Sequence, residues 1–190
     1  VILEKDKILI NLIEKPKKFV SSLVNAGLYK LDKKIFSLIK KIKKSKIEEY
    51  ELTDAIKDFS KVEKINCVIS KYWIPIVHPF DLLKADRILR KNRCTIGKGS
   101  KIYGKIRDSS IGNNCIIKGD INNSIIMDNI FIGKNSVVKE SIIGENASVN
   151  GTISKSVIAD NVKIDNSIIR NSKIWPNKVL SNKNIEHDVK

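Results

Sequence analysis

The pattern of apolar positions changes character once along this chain. Up to about residue 93 they come in short runs or at helical spacing; beyond it, isoleucine or valine returns every five to six residues. In the first part, Ile8, Leu9, Ile10, Leu12 and Ile13 make one strand-like run that Pro16 ends, and Leu23 to Leu31 makes another. The sequence therefore predicts two short strands around a turn. Asp32 is placed as the N-cap of a helix whose Ile35, Phe36, Leu38, Ile39 and Ile42 share one face. A second helix is predicted over residues 52–59, with Thr53 or Asp54 near its start, followed by a strand-like segment over 64–70. From Pro79 a third helix presents Leu82, Leu83, Ala85, Ile88 and Leu89 on one side and bridges the two parts.

After Arg93 helical spacing vanishes. Ser109, Ser124, Ser141, Ser156 and Ser167 each stand two residues before an isoleucine, at spacings of 15, 17, 15 and 11 residues. Ile-Gly steps recur at Ile96-Gly97, Ile111-Gly112, Ile132-Gly133 and Ile143-Gly144, many followed by Asn or Asp. This is the hexapeptide pattern of a triangular solenoid. One β-branched residue per strand points inward and stacks on its equivalents in neighbouring coils. Gly, Asn and Asp serve the corners because they tolerate left-handed backbone angles. A single coil cannot bury its apolar face, so several must stack. The pattern predicts a left-handed parallel β-helix of about five coils.

Composition narrows the functional classes. The net charge is +15, yet residues 1–93 carry 22 Lys/Arg against 12 Asp/Glu, and residues 94–190 carry 14 against 9. The excess is thus spread along the chain, is mostly lysine, and comes with few aromatic residues for stacking on bases, which argues against nucleic acid. The densest run, Lys40 to Lys44, reads as the end of the first helix, where cations suit the helix dipole. A basic surface also favours anionic small molecules such as sugar phosphates. No apolar run is long enough to span a membrane, and the N-terminal residues lack the features of a signal peptide. Cys67, Cys94 and Cys115 are odd in number and contain no CxxC pair, so free thiols in a cytoplasmic protein are expected. With only His78 and His187, a zinc site is not expected.

Four stretches of the first 90 residues carry a resemblance. Glu14-Lys15-Pro16, Asn25-Ala26-Gly27 with Tyr29 following, Glu49 to Ile56 (EYELTDAI), and Trp73 leading to Pro79-Phe80-Asp81 stand in that order. Together they resemble the sugar-binding end of the sugar-1-phosphate nucleotidylyltransferase (NDP-sugar pyrophosphorylase) family. The resemblance implies an α/β fragment, the C-terminal part of a Rossmann-like nucleotidylyltransferase domain, followed by the all-β left-handed parallel β-helix. It divides the chain into residues 1–78, a linker helix over 79–93, and the β-helix over 94–190. It further implies that Lys15 contacts the sugar phosphate as the catalytic cation and that Glu14 contacts the sugar hydroxyls. Asn25 and the Gly27 backbone would hold the ring, while Tyr50 and Asp54 serve as core contact and cap. Substrates would be a sugar-1-phosphate and a nucleoside triphosphate, with Mg2+ as cofactor. Such chemistry is mostly positioning and neutralisation of two phosphates brought together.

Two departures from the family pattern matter. Its glycine-rich nucleotide-binding segment and the acidic metal ligand after it have no counterpart, so the chain reads as beginning in mid-domain and as inactive alone. In many members an aspartate that helps hold magnesium stands two residues after the Trp; here that place holds Pro75, with Asp81 nearby as a helix cap. The pattern thus leaves a non-catalytic regulatory subunit open.

Left-handed β-helices also occur in acyltransferases, whose chemistry normally wants a histidine base. None lies between Cys94 and Asn184. The β-helix is therefore read as an assembly or regulatory module that makes a homo-oligomer, with a bifunctional acetyltransferase as the alternative. Trp175 is placed at the open end of the solenoid or at a subunit contact.

Overall fold

A computed structural model describes residues 1–14, 16–45 and 48–190. The chain divides into two compact units, Val1–Trp73 and Ile74–Lys190.

The first unit is a small α/β piece. Strand β1 (Ile2–Leu3) pairs antiparallel with β2 (Leu9–Asn11). Residues 64–70 add only an isolated bridge, Asn66 to Ile8, flanked by the Leu9 N–H on the Ile65 carbonyl (2.9 Å) and the Cys67 N–H on the Lys7 carbonyl (2.8 Å). Helix α1 (Ile35–Ile39) and helix α2 (Leu52–Phe59) pack through Ile35, Ala55 and Phe59, while Ile56 joins Leu9 and Leu12 in a second small core.

Several expectations are corrected here. The predicted strand over 23–31 does not form. The Asn25 carbonyl oxygen Oδ1 accepts the Gly27 N–H at 3.1 Å, and Gly27 sits at φ 76°, so the chain turns where a strand would have to run straight. The strand that pairs with β2 is β1, from the start of the chain. Asp32 is not the N-cap residue; Lys34 is, and the Asp32 carboxylate accepts the Lys34 N–H at 2.9 Å one turn earlier. Helix α2 has the expected bounds, with Thr53 and Asp54 in its first turn, but its N-cap is Glu51 and not Asp54. The lysine run follows α1, with Lys40 as C-cap, and does not form its last turn. Tyr50 is 66% exposed and so is no core contact.

The second unit is a parallel β-helix preceded by helix α3 (Asp81–Leu89). Its first face is a sheet of six two-residue strands: Thr95–Ile96, Ser110–Ile111, Ile125–Ile126, Ile142–Ile143, Val157–Ile158 and Lys173–Ile174. The other two faces merge into one ten-stranded sheet because Ser148–Ser154 and Lys163–Arg170 run on through the corner between them. Inward residues stack in register: Ile111, Ile126, Ile143, Ile158 and Ile174 on the first face; Ile117, Ile132, Val149, Ile164 and Leu180 on the second; Ile121, Val138, Ile153, Ile169 and Ile185 on the third. All are buried.

Six rungs stand against the five expected, and the serine register explains the difference. The serine that follows Ser156 on the first face is Ser172, whose N–H donates to Ser156 Oγ at 3.1 Å, while Lys173 pairs with Val157. Ser167 lies on the third face instead, opposite Gly151. The 11-residue spacing thus joined two different faces. The first rung, Thr95–Ile96, has Cys94 where the others have serine.

Polar groups at the corners are satisfied between coils. Ser109, Ser124, Ser141 and Ser156 are buried, and each Oγ accepts the N–H of the next serine at 3.0–3.1 Å while donating to the carbonyl two residues before its own. At another corner Asn114, Asn129, Asn146, Asn161 and Asn177 all adopt φ of 55–63°, the left-handed region that asparagine tolerates. Three of their side-chain amides hydrogen-bond from coil to coil. Coils fall short of eighteen residues because the step from the third face back to the first takes five residues, and in most coils the step from the second face to the third is compressed as well. Ile102 to Ile106 and Ile117 to Ile121 take four residues each, with Gly104 and Gly119 between. A Cβ on Gly104 would overlap the Gly119 carbonyl oxygen, so only glycine fits.

Helix α3 lies on the first face. Ser110 Oγ donates to the Asp86 carboxylate, and Ile142, although it points outward, is only 3% exposed. Ala85 is buried while Ile88 and Leu89 remain exposed, so the covered side of α3 is narrower than its apolar pattern suggests. Arg90, its side chain 4% exposed, reaches Asp86 at 2.6 Å and Asp108 at 2.9 Å, and Arg87 meets Asp108 at 2.5 Å. At the far end Val189 makes an isolated parallel bridge to Ile174; Trp175 is partly exposed beside it, with Lys190 Nζ 5.6 Å from its ring centre.

Candidate functional sites

The residues expected to meet a sugar phosphate sit on the irregular stretch after β2. Glu14 is exposed, and Lys15 lies outside the described residues. Asn25 is half-buried, Gly27 is exposed, and a Cβ at Gly27 would meet nothing within 4 Å, so the backbone there is open to a ligand. The Asn25 side chain is held at both ends. Its Oδ1 accepts from the Gly27 N–H at 3.1 Å, and its Nδ2 donates to the Tyr29 hydroxyl. Tyr29 itself packs against the core of Leu9, Leu12 and Ile56. The structure thus brings Asn25 and Gly27 together in one turn and adds Tyr29. No hydrogen bond joins Glu14 to that turn among the described residues. Sequence reasoning gave Tyr29 no role; its place four residues after Asn25 was the available signal.

The segment leading to α3 offers no second carboxylate for a metal. Pro75 is exposed and has no side-chain donor atom. The Asp81 carboxylate is engaged by the Val77 N–H (2.9 Å) and the His78 N–H (2.7 Å), and these bonds hold its pKa below the usual carboxylate range. It closes the turn before the helix and is not its cap: the N-cap of α3 is Phe80, and no side chain caps the helix. Among the described residues no group of three or more His, Cys, Asp or Glu is arranged to hold a metal ion.

A second feature lies on the β-helix. Phe80, the N-cap of α3, and Leu83 within it form one wall of a groove of about 570 Å³, and residues of the β-helix, among them Asn123, Glu140, Lys155 and Asn171, line the rest. Asn123, Glu140, Lys155 and Asn171 are the left-handed corner residues of successive coils. No imidazole lines it. Cys67, Cys94 and Cys115 are free, and burial raises the thiol pKa of Cys67 and Cys115.

Residues 1–92 match the model of the nucleotidyl transferase family, and residues 85–189 match the model of the GMPPB C-terminal domain. The chain belongs to the sugar-1-phosphate nucleotidylyltransferase family. Within that family it is similar to the bifunctional protein GlmU of Methanocaldococcus jannaschii, 42% identical over 122 residues, which cover 64% of this chain and 28% of that protein. The GlmU protein of Methanococcus maripaludis strain C5 is 33% identical over 165 residues, covering 70% of this chain and 39% of that one. A bifunctional sugar-1-phosphate nucleotidylyltransferase/acetyltransferase of Sulfurisphaera tokodaii is 32% identical over 113 residues, covering 56% and 28%. The chain therefore spans well under half the length of these relatives. The β-helix falls within the match to the GMPPB C-terminal domain, and the α/β piece before it within the match to the nucleotidyl transferase family.

Proposed function

We propose that this chain supplies the sugar-binding end of an enzyme that joins a sugar-1-phosphate to a nucleoside triphosphate, and that its β-helix serves assembly or regulation. The observation that carries the reading is the turn at Asn25–Gly27, an oriented amide beside open backbone, at the place where the family motif holds the sugar. In the reaction a phosphate oxygen of the sugar-1-phosphate attacks the α-phosphorus of the triphosphate. The bond from that phosphorus to the bridging oxygen breaks, and pyrophosphate leaves. Lys15 neutralises the attacking phosphate, Glu14 accepts hydrogen bonds from sugar hydroxyls, and Asn25 with the Gly27 backbone holds the ring. Neutralising and aligning two anions is most of what such a transfer requires.

Magnesium would accompany the triphosphate in the nucleotide-binding part of such an enzyme. The described residues do not by themselves fit a metal, since Pro75 lacks a donor and Asp81 is committed to backbone N–H groups. We place the functional boundaries at residues 1–78, 79–93 and 94–190, and the protein in the cytoplasm, in keeping with three free thiols. Among the described residues no helix is long and apolar enough to cross a membrane. The partners are a sugar-1-phosphate, a nucleoside triphosphate and further copies of the chain. Nucleic acid is not among them.

The test is pyrophosphate release by a chain that contains these 190 residues and a nucleotide-binding part, over a matrix of triphosphates and sugar-1-phosphates with magnesium. Activity with one pair, reduced at least tenfold in K15A, supports the reading. A folded protein silent across the matrix would replace it with a regulatory subunit, as Pro75 suggests. Acetyl transfer is a second reading, favoured by the groove along α3; saturable acetyl-CoA binding lost on L83D substitution would establish it.

A further inference from the structure

The Asn25 turn contains more information than the motif that drew attention to it. A backbone N–H can only donate, so the atom of the Asn25 amide facing Gly27 at 3.1 Å is the oxygen. That fixes the other end as the NH2 group, which donates one hydrogen to the Tyr29 hydroxyl oxygen. The second amide hydrogen has no hydrogen-bond partner among the described residues, and the Tyr29 hydroxyl, having accepted, keeps its own hydrogen to give. Tyr29 packs its ring against the core of Leu9 from β2, Leu12 just after it and Ile56 from α2, so its hydroxyl is a fixed point rather than a mobile one.

We propose that Tyr29 is a positioning residue for the sugar-phosphate site: it sets Asn25 so that the pair presents donors, not acceptors, to oxygen atoms of the bound sugar-1-phosphate. The inference rests on the proposed function, and adds to it a residue and a polarity. Substrate oxygens at this point of the site must offer lone pairs, which phosphate oxygens and free or acceptor-oriented hydroxyls do. Tyr29 acts through Asn25 and through the amide's fixed orientation, so its effect disappears when Asn25 cannot respond.

Three substitutions separate the roles, measured as KM for sugar-1-phosphate and for triphosphate in an active chain that contains these residues, with the melting curve of each variant recorded. N25D keeps the acceptor for the Gly27 N–H and the size of the side chain but replaces the NH2 donor by an anionic oxygen. It is expected to raise KM for sugar-1-phosphate by more than tenfold, with KM for triphosphate unchanged. Y29F removes only the hydroxyl and should raise the same KM roughly three- to tenfold. Adding Y29F to N25A should cost little beyond N25A alone, because the residue it positions is gone.

An N25A variant with wild-type KM would overturn the site reading itself. An N25A variant that is impaired, with Y29F equal to wild type or fully additive to N25A, would overturn the positioning role while leaving the site standing. An N25D variant that binds as well as wild type would overturn the donor polarity.

Discussion

Residues at the corners and inside the coils of the β-helix do different work, and the cost of replacing them differs accordingly. Ile143 is fully buried within a stack of its own kind, so I143A leaves a cavity that neighbouring coils cannot close. A loss of about 2–5 kcal/mol in urea unfolding is expected. Ser141 is buried for another reason. Its Oγ is the acceptor for the Ser156 N–H, so S141A strands a buried donor and should cost about 1–3 kcal/mol, although it removes a single atom. Asn146 holds φ 56°, and N146A should lose about 1 kcal/mol through backbone strain, without any cavity. Equal stabilities for S141A and wild type would show that the serine ladder is not a structural element. The periodic isoleucines were legible because inward stacking admits few other side chains. The meaning of the serines was not, because a buried hydroxyl is informative only once its partner in the next coil is known. That is also why the motif alone does not separate Ser167, on the third face, from the serines of the first.

At the scale of elements, α3 is tied to the first coils by a charged clasp whose pH response follows from its geometry. Burial opposes ionisation of Asp108, but hydrogen bonds from Arg90 and Arg87 outweigh it and hold its pKa below the ordinary value. A carboxylate depressed in the folded state contributes stability that is complete above its unfolded pKa of about 4 and is lost as pH falls through the folded value. Release of α3 is therefore expected below about pH 4, and D108N should bring it about at neutral pH. Hydrogen exchange at the amides of residues 81–90 measures this; unchanged protection in D108N would mean that apolar contacts alone hold the helix. The helix itself, like α2, was legible from apolar spacing. The clasp was not, since Asp108 is distant in sequence and its partners are charges in a chain full of charges. The second strand failed for a related reason. The strand-like run over residues 23–31 suggested it, but the Asn25–Gly27 turn decides the local path, and the edge of β2 was taken by β1.

For the molecule as a whole, the family follows from two adjoining matches and the fold from one repeat, while the site rests on a few residues that a repeat cannot specify. Helix α3 covers one face of the β-helix, and the other two carry exposed Ile116, Val137, Ile168 and Val179. Apolar groups in such positions suit contact with further copies of the chain. Light scattering should therefore report an oligomer, and V137D/I168D should reduce its mass; a monomer at micromolar concentration would contradict assembly through these faces. The central claim is that a sugar-1-phosphate is held by the stretch from Glu14 to Tyr29. A crystal structure of a complete nucleotidylyltransferase chain containing these residues, grown with its sugar-1-phosphate, tests that most directly. The account predicts the phosphate within hydrogen-bonding distance of Lys15, and the sugar beside Gly27 with the Asn25 Nδ2 donating to one of its oxygens. Ordered sugar-1-phosphate elsewhere, with this turn unchanged and empty, would contradict it.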